Sequence, residues 1–133
     1  MPQLRISEAA ELLGVSDDTV RRWLDSGALD HALDASNRKV IDGRDLAVFA
    51  RGQASPARDR SGVGRSARNR FVGLVTEVVS DKVMSQVEMV CGPFRVVSLM
   101  STEAVTELGL EPGSIAVAVI KATNVIVETP HPA

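Results

Sequence analysis

The fourteen residues from Gly52 to Arg65 contain almost no large apolar side chain and are rich in Gly, Ser, Pro, Ala and Arg. A segment of this composition cannot add to a packed core and is typical of a linker between domains. The chain of 133 residues is therefore predicted to hold two small domains, at residues 1–51 and 66–128, with a flexible linker at 52–65 and a tail at 129–133.

Charge follows the same division of the chain. Residues 52–70 carry five arginines and one aspartate, whereas the regions on either side are acidic. The formal net charge of −2 argues against a bulk electrostatic binder of nucleic acid. The basic segment, with Arg58, Arg60 and Arg65, is nevertheless expected to add non-specific affinity for DNA if the chain also contains a DNA-binding domain.

Several classes of protein are disfavoured by what the sequence lacks. No run approaches the ~18 consecutive apolar residues of a membrane span, and the single Cys91 cannot form an internal disulfide. We therefore expect a cytoplasmic protein without a membrane partner, in which Cys91 is a strand-end residue. Neither His31 nor His131 has a nucleophile or acid partner nearby, and no Gly-rich phosphate loop or metal-ligand cluster occurs. We expect no enzyme activity, no catalytic residues and no free metal cation.

The first domain shows helical periodicity with clear start and stop signals. Ser7 is a candidate N-cap for a helix from Glu8 to Leu13 that ends at Gly14, and Ser16 is a candidate N-cap for a second helix from Asp17 to about Asp25. Two short helices joined by so short a turn predict a helix-turn-helix.

The second predicted helix has an apolar and a charged face. Val20, Trp23 and Leu24 share one side by i, i+3, i+4 spacing and are predicted to face the core, which leaves the charged side open to a ligand. Downstream, the polar residues 36–39 favour a hairpin turn or wing, and Asp42 is placed to cap a third helix. The first domain is thus predicted to be an all-α, winged helix-turn-helix.

In the second domain the period changes to that of strands. Turn residues separate five apolar segments, at Phe71–Val79, Val83–Val90, Phe94–Met100, Ile115–Ile120 and Val125–Val127. One helix is predicted from about Thr102 to Leu108, ending at Gly109. About five short strands with one short helix favour a small, partly closed β-barrel of the OB type.

Three motifs of the second domain match one known family. They are Ser66-Ala67-Arg68-Asn69 followed by Phe71-Val72-Gly73-Leu74-Val75, the segment from Glu103 to Gly113, and Val119-Ile120-Lys121-Ala122-Thr123-Asn124-Val125-Ile126. In this order and spacing they make residues 66–128 similar to the molbindin family, small molybdenum-binding barrels also found fused to bacterial molybdate-dependent repressors and molybdate-transporter ATPases. The resemblance implies that the protein binds molybdate, with tungstate as an analogue.

The resemblance also implies which residues hold the ion. Molybdate is a tetrahedral dianion that only accepts hydrogen bonds, so its site needs hydroxyl and amide donors beside positive charge. In the family, one wall of the site comes from one subunit and the other from its neighbour. The residues carried over to the first wall are Ser66, Ala67, Arg68, Lys121, Ala122 and Thr123. Those carried over to the second are Ser101 and, through its backbone amide, Ala104.

One of these positions departs from the family, and the others have structural alternatives. Ala104 stands where the family often has a second hydroxyl, so one side-chain donor is missing. Ser101 can simply cap its helix, Lys121 can be a solvated strand end, and Arg68 can cover apolar surface. Lys121 interrupts a continuous apolar run, which favours its role as a ligand.

Residues 4–51 resemble the helix-turn-helix of MerR and excisionase proteins, through Ile6-Ser7-Glu8-Ala9-Ala10, Leu13-Gly14-Val15-Ser16 and Thr19-Val20-Arg21-Arg22-Trp23. The resemblance implies that the second helix enters the major groove of double-stranded DNA. The candidate contacts are Ser16, Asp18, Thr19, Arg21 and Arg22 on the helix, with Arg38 and Lys39 on the wing beside phosphates. A merely solvated charged face is the alternative, which Asp17, Asp18 and Asp25 support.

Together the two resemblances predict a molybdate-responsive transcriptional regulator. Since single-barrel molbindins assemble as hexamers, we expect a homo-oligomer through the barrel, with a hexamer favoured over a dimer or trimer. Two alternatives stay open. One is an intracellular molybdate store, and the other is a constitutive DNA-binding protein whose barrel only oligomerises.

Overall fold

The structure, a computed structural model, describes residues 1–53 and 68–130. The chain divides into two compact units, one on each side of the undescribed residues 54–67. Much of the predicted linker, including Arg58, Arg60 and Arg65, lies outside the described residues.

The first unit contains three helices and a small sheet. Its elements in chain order are β1 (Gln3–Arg5), α1 (Ile6–Leu13), α2 (Asp17–Asp25), β2 (Ala32–Leu33), β3 (Lys39–Asp42) and α3 (Gly43–Gln53). The strands form an antiparallel sheet in the order β1-β3-β2. Helix α3 continues to Gln53, beyond both the predicted end of the domain at residue 51 and the predicted start of the linker at Gly52.

The turn between α1 and α2 forms as the sequence predicts. Gly14 has a φ of 67°, the left-handed conformation that glycine adopts without strain, and so ends α1. The side chain of Ser16 accepts a hydrogen bond from the amide of Thr19 at 3.1 Å and caps α2. Three residues therefore separate the helices, and the helix-turn-helix is confirmed.

The predicted start of α1 is wrong. Ser7 does not cap this helix, which begins at Ile6 with Arg5 as its N-cap residue. The carboxylate of Glu8, at the third helical position, accepts a hydrogen bond from the amide of the N-cap residue Arg5 at 3.0 Å. Strand β1 directly precedes the helix, and its pairing with β3 fixes where the helix can start.

The core of the first unit confirms the predicted faces of α2. Val20 and Leu24 are buried, and Trp23 packs against the edge of the core with its ring 4.7 Å from that of Phe49. The buried members of its apolar cluster are Ala9, Ala10, Val20, Leu24, Leu29, Ile41 and Leu46, and Val40 is buried as well. All of α1, α2, α3 and the sheet contribute to one small apolar cluster.

The second unit is a curled antiparallel sheet with one helix. Its elements are β4 (Asn69–Ser80), β5 (Met84–Cys91), β6 (Phe94–Ser101), α4 (Thr102–Leu108) and β7 (Ile115–Ile120), followed by a 3₁₀ turn at Ala122–Asn124. The strand order is β6-β5-β4-β7. The first half of β4 pairs with β7 and the second half with β5, and a β-bulge at Val75–Glu77 bends the strand between the two halves.

One of the five predicted strands is absent. Residues 125–127 form no strand, and Val125, Ile126 and Val127 are 44, 85 and 86% exposed. Helix α4 has the predicted bounds and ends at Gly109, and Cys91 ends β5 as expected. Burial raises the pKa of the Cys91 thiol, which fits an inert structural residue.

The sheet curls without closing. Its outer strands β6 and β7 do not pair, and an apolar groove of about 630 Å³ lies among side chains of β5, β6 and β7. The buried cluster of this unit consists of Val75, Val87 and Val105, with Met100 and a few other side chains packed around it. So small a core is thin for a domain of this length. No helix in the described parts of the chain is long and apolar enough to cross a membrane.

Gly73 lies where β4 passes closest to β5, and this predicts a strong effect of Gly73→Ala. A Cβ there would lie 2.6 Å from Sγ of Cys91 and would overlap the carbonyl oxygen of Val90. We expect Gly73→Ala to lower the free energy of unfolding of the second unit by about 1–3 kcal/mol. Urea unfolding followed by circular dichroism of the β-sheet measures this, because the single Trp23 reports on the first unit.

Gly52→Ala is the matched control for this substitution. Nothing lies within 4 Å of a Cβ at Gly52, which is inside α3. The control is expected to raise the stability of the first unit by up to about 1 kcal/mol. A Gly73→Ala protein with an unchanged β-sheet transition would contradict the close approach of the two strands.

Candidate nucleic-acid interface and oxyanion site

The predicted DNA-contacting residues of α2 share its exposed face and are tied to one another. The hydroxyls of Ser16 and Thr19 lie 2.9 Å apart, and the guanidinium of Arg22 donates to the Thr19 hydroxyl at 3.1 Å. Arg21 forms an ion pair with Asp18 at 3.1 Å. The helix therefore presents an ordered row of hydroxyl, carboxylate and guanidinium groups, which are the groups that can read bases or hold phosphates.

The wing forms at the predicted place and is shaped by Asp34. Its carboxylate accepts hydrogen bonds from the amides of Ser36 and Arg38, both at 2.9 Å, and from the guanidinium of Arg38 at 3.2 Å. The amide of Arg38 contributes most to lowering the pKa of the Asp34 carboxyl, so the carboxylate is ionised at neutral pH. Asn37 takes a φ of 63°, which its short polar side chain tolerates.

An ion pair joins the wing to α2. Nζ of Lys39 lies 3.8 Å from Oδ1 of Asp25, near the C-terminal end of the helix. This long-range contact brings both wing cations toward the same helix that carries the other candidate DNA contacts. Exposed pairs of this kind contribute about 0–1 kcal/mol and exchange partners readily.

A shallow pocket, called here the wing depression, lies where these elements meet. Its lining combines the ends of β1 and α1 with α2 and the wing, and consists of Arg5, Ile6, Ser7, Asp17, Arg21, Arg38 and Lys39. Three of the predicted contact residues thus line one surface feature. The sequence analysis gave no role there to Arg5 or Ser7, because β1 and its pairing with β3 were not predicted.

The strand register brings part of the predicted first wall of the oxyanion site together. Asn69 pairs with Ile120 across β4 and β7, so Arg68 and Lys121 lie at the same end of the sheet. Both residues are exposed. Beyond Lys121, the 3₁₀ turn closes with a 2.9 Å hydrogen bond from the amide of Asn124 to the Lys121 carbonyl, which places Ala122 and Thr123 in the same turn. Ser66 and Ala67 lie outside the described residues.

Asn69 has a role that the sequence analysis did not assign. Its side-chain amide donates to the carbonyl oxygen of Ile120 at 3.3 Å and ties the start of β4 to the end of β7. Asn69 belongs to a family motif, which could have marked it as important. The periodicity of the sequence could not show which strand pairs with it. Asn69 positions Arg68 next to the turn at Lys121.

The predicted second wall lies at the other end of β4. Ser101 ends β6 and caps α4, and its Oγ accepts a hydrogen bond from the amide of Ala104 at 3.1 Å. The Ala104 amide is therefore already engaged, whereas the hydroxyl hydrogen of Ser101 is available to another acceptor. The capping role foreseen as an alternative for Ser101 does occur, and it does not prevent the hydroxyl from donating.

A row of hydrogen-bonded hydroxyls around the buried Ser85 positions this second wall. Ser85 is 1% exposed, and its hydroxyl lies 2.6 Å from that of Ser80 and 2.8 Å from that of Thr102. Thr102 donates onward to the carbonyl oxygen of Asp81 at 2.8 Å. This row fixes the start of α4, and hence Ser101, against the turn between β4 and β5.

In a single copy of the chain, the two predicted walls lie beside opposite ends of β4. The first wall adjoins the Asn69 end of β4, and Ser101 pairs with Met84 beside the Ser80 end. Eleven residue steps of about 3.3 Å separate these ends, a contour length of roughly 36 Å. Among residues 1–53 and 68–130, no cluster of His, Cys, Asp and Glu could hold a metal cation.

Comparison with known proteins confirms a helix-turn-helix domain and a TOBE domain, whereas the similarity to MerR and excisionase proteins stays a prediction. A helix-turn-helix domain model matches residues 4–54, and a TOBE domain model matches residues 65–127. The molybdenum transport protein ModE of Herbaspirillum seropedicae is 35% identical over 71 residues, which are 53% of this chain and 26% of that protein. The chain thus spans about a quarter of the length of this curated relative.

Two solved structures resemble the second unit. The cytoplasmic molybdate-binding protein ModG, with molybdate bound, is 42% identical with a TM-score of 0.51, and the match covers 54% of this chain and 52% of that one. A molybdate-binding protein from Sporomusa ovata is 30% identical with a TM-score of 0.49, and the match covers 50% of this chain and all of the other. None of these proteins is described as an enzyme. The chain therefore combines a helix-turn-helix domain at residues 4–54 with a TOBE domain of the molbindin type at residues 65–127.

Proposed function

We propose that this protein is a cytoplasmic, molybdate-responsive DNA-binding regulator, in which the ion binds between TOBE domains of different copies. The observation that carries the proposal is the register of β4 and β7, which brings Arg68 and the turn after Ile120 to one end of the sheet. The matches to ModE and to molybdate-bound ModG support the identity of the ion.

The chemistry of the first wall suits a dianion. Arg68 and Lys121 supply positive charge, and Thr123 supplies a hydroxyl donor from the same turn. Charge-assisted hydrogen bonds to an oxyanion are about twice as strong as neutral ones. Ser66 and Ala67, directly before Arg68 in sequence, and Ala122 through its backbone complete the proposed wall. Tungstate, which carries the same charge on a similar tetrahedron, is expected to bind as well.

A neighbouring copy supplies the second wall in this proposal. Since Ser101 lies at the far end of β4, one chain offers each ion only half of its donors. The free hydroxyl hydrogen of Ser101 fits an acceptor-only ligand. Ala104 contributes no side-chain donor, and its amide bonds to Ser101, so we expect lower affinity than in a site with a second hydroxyl.

The apolar surface of the TOBE domain supports assembly. Strand β7 is apolar throughout, and Ile115 is 79% exposed at its start. An apolar groove lies between the unpaired edges of β6 and β7, and residues 125–127 are exposed. Both would be covered if residues 125–127 of each copy lay in the groove of a neighbouring copy. Lys121 would then lie at the interface. We favour a hexamer, with a dimer or trimer as alternatives.

An ion that binds only the assembled form would act as a switch. At a concentration one hundred times its dissociation constant, it would stabilise that form by about 2.7 kcal/mol. The assembly fixes how many helix-turn-helix domains reach DNA together and at what spacing, which determines affinity for paired half-sites. Molybdate would thereby control occupancy of a promoter.

Loss of the Lys121 ammonium is expected to abolish tight molybdate binding. Isothermal titration of the wild type should show binding selective for molybdate over sulfate and phosphate, and Lys121→Ala should weaken it at least tenfold, because a charged hydrogen bond contributes about 1.5–3 kcal/mol. Lys39→Ala, which removes the same side chain from the other domain, should bind normally. A wild type that shows no selective binding would refute the molybdate proposal.

The exposed segment after the 3₁₀ turn is expected to matter only in the assembly. Ile126→Asp changes a side chain that is 85% exposed in the single chain, where such a substitution costs less than about 0.5 kcal/mol. We expect it to reduce the oligomer to smaller species in light scattering after size exclusion. Thr129→Asp adds the same charge nearby and should leave the oligomer intact. Equal masses for Ile126→Asp and wild type would exclude this segment from the interface.

The response to molybdate separates the three functional hypotheses. For a regulator, the protection seen in DNase footprinting of the promoter region of its gene should change when molybdate is added to the wild type. The Lys121→Ala protein should show no such change. A store would protect no site in either condition. A constitutive DNA-binding protein would protect the same site with and without the ion.

A further inference from the structure

We propose that Arg5 is a phosphate-contacting residue of the DNA interface. The inference rests on the proposed DNA-binding function. It adds one protein residue, Arg5, and one phosphate of the DNA backbone to the proposed interface. Its basis is the wing depression, in which Arg5 is the one cation that comes from neither α2 nor the wing.

The fold holds the backbone of Arg5 beside the wing. Strand β1 pairs with β3 so that Arg5 lies opposite Val40, one residue from Lys39. The amide of Arg5 donates to Glu8 Oε1 at 3.0 Å, in the extended conformation of a helix N-cap. Since a sheet pairing and a helix cap already order this residue, only its exposed side chain must be ordered on binding.

The other cations of the depression already have carboxylate partners. The pairs are Arg21 with Asp18 at 3.1 Å, Arg38 with Asp34 at 3.2 Å, and Lys39 with Asp25 at 3.8 Å. A phosphate that binds these cations must compete with an aspartate. The guanidinium of Arg5 forms no ion pair within 4.0 Å in residues 1–53 and 68–130, and the nearby Glu8 carboxylate is engaged by the backbone amide of Arg5. The Arg5 guanidinium is therefore the cation that a phosphate reaches without displacing a carboxylate.

The surroundings of Arg5 suit a phosphate oxygen. Four cations and one carboxylate, Asp17, line the depression. Ser7 lies in the same lining and is exposed, and its hydroxyl group can donate a hydrogen bond. A guanidinium offers two parallel N–H groups to a phosphate, so Arg5 and Ser7 together can hold one backbone phosphate beside the helix that enters the groove.

The salt dependence of DNA binding tests the assignment. The full chain is titrated onto mixed-sequence duplexes of several helical turns, by fluorescence anisotropy over a series of potassium chloride concentrations. We expect Arg5→Gln to reduce the slope of log K against log salt by about 0.9, the value for one phosphate contact. The loss should be the same on duplexes of different sequence, because phosphates carry no sequence information. Arg5→Lys keeps the charge and should keep the slope.

Arg51→Gln is the matched control, since it removes an exposed arginine of α3 that does not line the depression. Its slope should equal that of the wild type. Ser7→Asp is a second variant: the helix dipole favours a carboxylate in the first turn of α1, so stability is kept while phosphate binding is opposed. Thermal unfolding followed by Trp23 fluorescence verifies that each variant folds.

The outcomes separate this proposal from the proposed function. An unchanged slope for Arg5→Gln, equal losses for Arg5→Gln and Arg51→Gln, or unweakened binding by Ser7→Asp would each overturn the role of Arg5 while leaving DNA binding in place. A wild type without salt-dependent DNA binding would overturn both.

Discussion

The pairing of β4 with two different strands is the constraint on which the second unit depends. The twelve-residue strand is long enough to pair with β7 along its first half and with β5 along its second, and the bulge between the halves bends it. Arg68 and Lys121 meet at one end because of the first pairing, and Ser101 is fixed at the other because of the second. The same geometry that forms the sheet therefore places the two predicted walls of the oxyanion site beside opposite ends of one strand.

In the first unit, most cations of the candidate DNA interface are paired with carboxylates. A reader of DNA needs cations, yet this domain is acidic and pairs Arg21, Arg38 and Lys39 with aspartates. Such exposed pairs add little to stability, but they lower the net charge that a random stretch of DNA encounters. In the proposed DNA complex, non-specific affinity would thereby be limited, and the contacts that discriminate between sequences would gain relative weight.

Local chemistry explains which parts of the fold the sequence predicted. Gly14, Ser16 and Gly109 end or begin helices through contacts with residues three or four positions away, so their roles could be read from spacing alone. The start of α1 could not be predicted in this way, because β1 pairs with residues almost forty positions later in the chain. Residues 125–127 have the composition of a strand, but a strand requires a pairing partner, which periodicity cannot supply.

The candidate sites follow the same rule. Residue types and family motifs selected Lys121 and Arg68, but only the register of β4 and β7 shows that they are neighbours. Arg5 and Asn69 were missed because their importance comes from contacts between strands distant in sequence.

The small core of the TOBE domain has a consequence for the lifetime of the protein. Val75, Val87 and Val105 form a small buried cluster, so in the proposed oligomer a domain that gains further burial from its neighbours would become less stable as the chain is diluted. Freshly made copies that find no neighbour would open more often and be degraded first. The concentration at which copies assemble would then set a lower limit for the protein in the cell. Below that concentration, chains without a neighbour would be degraded instead of persisting as monomers.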